Sequence, residues 1–399
     1  MAATLSARMN IVKGSASAAV TARVAELRRQ GEDVIGLNIG EPDFPTPQYI
    51  KDAAVKAIEE NFTKYTPSVG ILELREAIAE KLKNENGIDY SANEIAISVG
   101  AKQALFSALM AVAGEGDEVI IPTPCYVSYP DMVRFTGATP VYALLNQENY
   151  MLDIAEIEKA ITPRTKAIII CSPNNPTGTV YTEESLRALA DLAVKYDFFV
   201  IADEVYEKLV YGGAKHFSIG AASAEMKERA ITVNGFSKTY AMTGWRIGYA
   251  AAREDVIKSI VKIMSQVTTS VNSITQKAAL AALQGPQDEV GLMVEEFEKR
   301  MHYTVDRLNS MPGISCPEIQ GAFYTFFDVT PYIGKSVNGN VIKDDADFCK
   351  YLLEEAKIAL MPGSDYLQKN KVRMSYAVSR EIIKESMDRM ERALKKIQL

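Results

Sequence analysis

The stretch Asn234–Tyr249, NGFSKTYAMTGWRIGY, places Lys238 in a turn of small and hydroxyl residues, with Arg246 eight positions on. A surface lysine ordinarily serves as a solubilising charge. A lysine whose pKa is lowered becomes a nucleophile and a proton carrier. Reactive groups also follow the other short apolar runs. Gly100, Ala101 and Lys102 follow IAISV, Tyr126 follows VIIP, and Asn174 and Asn175 follow AIIIC. Asp203 and then Tyr206 follow FFVIA, and Ser237 and Lys238 follow AITV.

These types suggest a particular chemistry. Free N–H groups at a helix start near Gly100–Lys102 suit a phosphate, and glycine lets the backbone approach it. Ser237 and Arg246 would complete a phosphate cup, the arginine through a bidentate fork. Asp203, among apolar residues, needs a cationic partner to stay charged. Each group has a plainer explanation. Asp203 could cap a helix, Asn175 could shape the PNNP turn, and Tyr126 and Tyr65 could be packing aromatics. Arg246 could be an ion-pair partner, Arg373 a surface strand residue, and Lys102 a solvated helix residue. All of these would have to coincide.

The elements that must position them alternate. DAAVKAIEENF, LELREAIAEKLKNENG, AKQALFSALMAVAG and TEESLRALADLAVKYD read as helices, the third of these stretches opening at the candidate phosphate site. EIAISVG, DEVIIPTP, TKAIIICSPNNPTG, FFVIADEVYE and RAITVNGFSK read as strands. The fold class is therefore α/β, with a mostly parallel sheet covered on both faces. Ligands in such sheets bind beyond the carboxyl ends of the strands, where the reactive groups gather. A long helix from about Arg253 to Gln284 is expected as a connector. The remaining pattern reads as a smaller α+β domain, with GKSVNGN as a surface loop. The expected division is an N-terminal arm and part of the small domain over 1–46, a large domain over 47–290, and a small domain over 291–399.

Composition narrows the classes. The chain has 399 residues, 47% apolar and 24% charged, as in an ordinary globular protein. Its net charge of -7 argues against nucleic-acid binding, so an anionic substrate needs a local positive pocket. Four scattered cysteines and two histidines argue against a zinc site or a disulfide scaffold; no metal is expected, and a reducing, cytoplasmic setting fits. No apolar run approaches the ~20 residues that cross a membrane. The first 25 residues lack acidic side chains, the composition of a transit peptide or of an arm lying on the protein. The unbroken passage into TARVAELRRQG favours the arm.

A cofactor with a phosphate, a basic ring nitrogen and an aldehyde would engage the whole set, and pyridoxal 5'-phosphate has these groups. SKTYAMTGWRIGY, SPNNPTG, ADEVYE, NIGEPDFPTP, KYTPSVGILELREAI and VGAKQALF, in this order and spacing, resemble the class I aminotransferases of pyridoxal-phosphate fold type I. The likeness covers nearly the whole chain and is nearest to the bacterial-type aspartate aminotransferases. It implies that Lys238 bonds the cofactor and moves the proton, and that Asp203 pairs with the ring nitrogen. Tyr206 and Asn175 would bond the ring hydroxyl, and Tyr126 would stack on the ring. Ser237, Arg246 and the backbone at Ala101 and Lys102 would hold the phosphate, joined by Tyr65 from the other subunit of a homodimer. Arg373 and Gly40 would take the substrate α-carboxylate. Lys102, with Ser15 on closure, would take the side-chain carboxylate. The arginine that animal-type relatives borrow from the neighbour has no clear counterpart in SQVTTSVNS.

The implied reaction is ping-pong transamination between L-aspartate and 2-oxoglutarate through a pyridoxamine form. A broader acidic and aromatic range including prephenate is the alternative, as is a pyridoxal-phosphate carbon–sulfur β-lyase. A binding protein built on an inactive aminotransferase domain fits less well, because the lysine, aspartate, tyrosine and arginine set is complete. A nicotinamide dehydrogenase would need a G-x-G-x-x-G after a first strand, which this chain lacks.

Overall fold

Seven strands form the main sheet of the computed structural model, which describes residues 4–12, 14 and 16–399. They are β1 (Ile95–Ser98), β2 (Glu118–Thr123), β3 (Thr139–Leu144), β4 (Thr165–Cys171), β5 (Phe199–Asp203), β6 (Ala230–Gly235) and β7 (Gly248–Ala251). Their spatial order is β1-β7-β6-β5-β4-β2-β3. Pairs run parallel except at β7, which is antiparallel to both β1 and β6.

The unbroken apolar runs of β4 and β5 follow from burial on both faces. Ala167, Ile169 and Cys171 point into one core cluster, and Ile168 and Ile170 into another. The first cluster packs under α4 (Ala101–Val112) and α8 (Glu254–Val267), through Leu105, Leu109, Val256 and Ile260. The second packs under α6 (Ile154–Ala160) and α7 (Glu183–Tyr196), through Ile157, Leu186 and Leu189. A third joins β1 to α2 (Gln48–Glu59), α3 (Leu72–Asn86) and α9 (Ser273–Gln284). Local signals set several ends. Thr182 caps α7 by accepting from the Ser185 N–H at 3.2 Å. Gly87 closes α3 in the left-handed region at φ 71°.

A three-stranded antiparallel sheet comes next, in the order β9 (Met361–Pro362), β10 (Lys371–Ser375), β8 (Tyr324–Asp328). The helices α10 (Asp288–Asn309), α11 (Asp345–Glu355) and α12 (Arg380–Leu394) pack with it. The segment after α1 (Ala16–Arg29) also joins this region, because Ile35–Gly36 pairs in parallel with Ile358–Ala359. Leu37 N–H donates to Ala359 O at 2.9 Å, and Ser375 N–H donates to Leu37 O at 2.8 Å.

The single connector helix expected over Arg253–Gln284 is corrected to two, α8 and α9. Thr268–Asn272 breaks it, with Thr269 at φ 64° and Asn272 capping α9 by accepting from Thr275 N–H. The turn-rich GKSVNGN stretch holds a small hairpin, Ser336–Val337 with Asn340–Val341. Two strands beyond those expected complete the sheet: β7, and β3, an edge strand that pairs only with β2 and therefore tolerates Pro140. No helix among the described residues is long and apolar enough to cross a membrane.

Candidate active site

The carboxyl ends of β4, β5 and β6 open onto a cavity of about 680 Å³. Asp203 is the last residue of β5 and is 6% exposed. The Tyr129 hydroxyl, from α5 (Tyr129–Thr136), donates to Asp203 Oδ2 at 2.6 Å. Asp203 Oδ1 has no partner. Burial pushes this carboxyl up to about 6, against the Tyr129 hydrogen bond and the nearby charge of Lys238.

Lys238, in the turn after β6, reaches the same cavity, and its Nζ donates to Gly40 O at 2.5 Å. Burial lowers its amine to about 8; Glu41 opposes this, and Arg246 and Arg373 reinforce it. The Tyr206 hydroxyl is 2.8 Å from the Tyr324 hydroxyl, and their rings meet edge to face. Tyr126 lines the cavity wall and meets Tyr129 edge to face, with centroids 5.4 Å apart.

Ser237, Ala101 and Arg246 all line the cavity, and Gly100 stands at the start of α4. Gly100 has φ 77°, and a Cβ there would stand 2.5 Å from Arg246 Nη2. A Cβ on Gly248 would stand 2.5 Å from Ala101 N. Arg246 itself sits at φ 54°, a left-handed conformation that costs a non-glycine residue about 1 kcal/mol. Its Nη1 is held by Thr243 O at 2.9 Å.

Arg373, on β10, is 4% exposed. Nη1 donates to Asn175 Oδ1 at 3.2 Å and Nη2 to Asn38 O at 2.6 Å, while Nε has no partner. The guanidinium lies 4.3 Å from the Tyr324 ring centre and 5.0 Å from that of Tyr366. Lys102 is exposed at the cavity mouth, 3.3 Å from Ser128 Oγ and 5.4 Å from the Tyr126 ring centre.

The cavity thus gathers every sequence-derived candidate except two. Ser15 lies outside the described residues. Tyr65 is 90% exposed and does not line this chain's cavity. Three aromatics went unnoticed in the sequence: Tyr129, Tyr324 and Tyr366. Strand register would have revealed Tyr324, because Arg373 pairs with Phe326 and Tyr324 is the next residue on that face.

The sequence pattern of the aminotransferase class I and II family matches residues 32–390. The chain belongs to that family. An aspartate aminotransferase of Geobacillus stearothermophilus is 45% identical over 389 residues, covering 97% of this chain and 98% of the relative. A probable aspartate/prephenate aminotransferase of Aquifex aeolicus is 45% identical over 396 residues, covering 98% and 99%. The aspartate aminotransferase of Thermus thermophilus with maleate superposes with a TM-score of 0.93 at 43% identity, covering 98% of this chain and 100% of that one. The aminotransferase cavity described above fits the family's cofactor on its own chemistry. The orphaned Asp203 oxygen can accept from a protonated ring nitrogen. Arg246 stands so close to Gly100, at the start of α4, that one added methyl there would meet its guanidinium.

Proposed function

We propose that this protein transfers the amino group of L-aspartate to 2-oxoglutarate, giving oxaloacetate and L-glutamate in two half-reactions on pyridoxal 5'-phosphate. The observation that carries this reading is the pair of cations on one cavity. Arg373 is buried with an unpartnered Nε, and Lys102 stands at the mouth. Two cations suit a substrate with two carboxylates.

When bound, pyridoxal phosphate supplies an electron sink for the charge released at the substrate α-carbon. Asp203 would hold its ring nitrogen, Tyr206 and Asn175 its ring hydroxyl, and Tyr126 its face. Ser237, Arg246 and the amides of Ala101 and Lys102 would hold the phosphate. Arg373 and the Gly40 backbone orient the α-carboxylate, and Lys102 with Ser15 receives the distal one. The Lys238 amine, lowered to about 8, can release and recover a proton near neutral pH and so carries it from the α-carbon. Tyr324 braces Tyr206 and faces Arg373, which keeps both donors in one orientation.

The reading includes a homodimer. Tyr65 is almost fully exposed, and a second cavity of about 680 Å³ adjoins Lys102 and Arg246. A partner's Tyr65 entering there would complete the phosphate cup. A large unit over 47–290 and a small unit over 1–46 and 291–399 follow the same reading, supported by the pairing of Ile35–Gly36 with Ile358–Ala359. Four buried free thiols suit a cytoplasmic setting.

A broader range that takes in prephenate is the second reading. The aromatic walls Tyr126, Tyr324 and Tyr366 and the single distal lysine favour it.

The test is a visible absorption spectrum of the loaded protein during addition of L-aspartate and then 2-oxoglutarate. The band is expected to bleach and then return. A band that ignores aspartate overturns the substrate. Pyruvate and ammonia released without a keto-acid acceptor would instead identify a β-lyase.

A further inference from the structure

The turn after β5 has two sides. Asp203 and Tyr206 face the active-site cavity. Glu204 and Glu207, each one residue further on, are buried but do not line it. Glu207 N–H donates to Glu204 O at 2.9 Å, which closes the turn, and Glu204 N–H donates to Val233 O of β6 at 2.8 Å. Whatever holds the two glutamates therefore holds the other side of the same turn.

A buried charged cluster does so, in which His216 Nδ1 has no hydrogen-bond partner. His216 Nε2 lies 3.2 Å from Glu204 Oε2, and Ser218 Oγ donates to that oxygen at 2.7 Å. Lys81, from α3, bonds Glu207 Oε1. Asn86, at the end of α3, donates to Glu207 Oε2 and Ser218 Oγ, both at 2.7 Å. The side chains of Glu204, Glu207, Lys81 and His216 are 3%, 6%, 10% and 10% exposed. A carboxylate oxygen of Glu204, one of Glu207 and a ring nitrogen of His216 all lie within 4.8 Å of one another. Two carboxylates this close and this buried need two positive charges. Lys81 supplies one, and a protonated His216 supplies the other.

We propose that the His216 imidazolium is a positioning residue for transamination: it locks the Asp203–Lys208 turn from behind, through Glu204, and fixes how Asp203 and Tyr206 meet the cofactor. The proposal rests on the cofactor roles assigned above to those two residues. Other titratable groups face the cluster. Glu85 of α3 pairs with Lys81 and Lys208, and Tyr90, Tyr240 and Tyr249 lie within its field. Burial alone would lower the His216 pKa, but Glu204 and then Glu207 raise it above the ordinary histidine value. Burial alone would raise Glu207, but Lys81 and His216 bring it down to about 2. Loss of the imidazolium proton on alkalinisation would leave the cluster one charge more negative behind Asp203.

The chain has only two histidines, so His302→Gln leaves one imidazole signal to follow by NMR. In the pyridoxal-phosphate-loaded protein that signal is expected to titrate above the ordinary histidine value and to fall back towards it in Glu204→Gln. A His216 that titrates at or below the ordinary value, or that ignores Glu204→Gln, overturns the proposal. The second readout is the pH midpoint of the visible cofactor band. In His216→Gln the midpoint is expected to rise by about half a pH unit, because the extra negative charge favours the protonated chromophore. His216→Lys is expected to restore it. An unchanged midpoint in His216→Gln overturns the link to the cofactor. If that variant does not fold, Ser218→Ala removes a donor to the same carboxylate, and its midpoint must move instead. Absence of any band would sink the cofactor reading itself, a failure distinct from an imidazole that titrates normally.

Discussion

The Tyr129 hydroxyl binds one oxygen of Asp203 at 2.6 Å and leaves the other, Oδ1, buried and unpartnered. A carboxylate in that state is costly until a cation arrives. Its pKa is raised to about 6, so ionisation opposes folding of the cofactor-free protein. For an acid raised in the folded state, stability is fully present below the unfolded value and is lost as pH climbs through the folded one. Asp203→Asn is therefore expected to stabilise the cofactor-free protein at pH 8, by on the order of 3 kcal/mol, and to have little effect at pH 4. The same change should weaken cofactor binding. Thermal melts of both proteins at the two pH values check this; equal melting at pH 8 refutes it.

Gly100→Ala is expected to displace the Arg246 guanidinium, since the new Cβ falls 2.5 Å from Nη2 at a φ of 77°. Loss of one charged phosphate contact should weaken pyridoxal phosphate roughly tenfold or more. Gly244→Ala, with nothing within 4 Å, is the control and should bind normally. Absorbance titrations of the cofactor-free variants decide it.

Lys102→Ala should lower kcat/KM for aspartate by roughly tenfold or more while sparing alanine and tyrosine. Steady-state rates with the three donors are the measurement. Equal losses would remove Lys102 as the selector of the distal carboxylate.

Arg373→Lys should act differently. A lysine cannot reproduce the planar fork held between Asn175 and the Asn38 carbonyl. A fall of roughly 10²-fold in kcat/KM is expected, by the same factor for aspartate and alanine, because every amino acid carries the α-carboxylate. A loss confined to aspartate would exchange the roles of Arg373 and Lys102.

Much of this site was legible because parallel strands bring their carboxyl ends to one edge. Asp203, Lys238, Tyr126 and Asn175 could be grouped because each stands just beyond an apolar run. The residues that brace them were not legible in this way. Tyr129 opens a short helix of eight residues, where an aromatic at a buried position looks like packing. Tyr324 depends on strand register and on its bond to Tyr206, 118 residues earlier, and Tyr366 on a turn that brings it against Arg373, which no local pattern encodes. The break between α8 and α9 was hidden because Val267, Val271 and Ile274 keep a helical spacing across TTSVNS. It took the Asn272 cap and the left-handed Thr269 to end the helix.

The segment Ile35–Gly40 hydrogen-bonds to Lys357, Ala359, Arg373 and Ser375, all near the end of the chain, and to Lys238. During synthesis Lys357, Ala359, Arg373 and Ser375 leave the ribosome more than 300 residues after this segment. The large sheet can pair earlier, but β8 stays without its partner β10 until Lys371–Ser375 emerge. A nascent chain stalled before β10 would therefore carry β8 as an unpaired edge, a target for chaperones and a seed for aggregation.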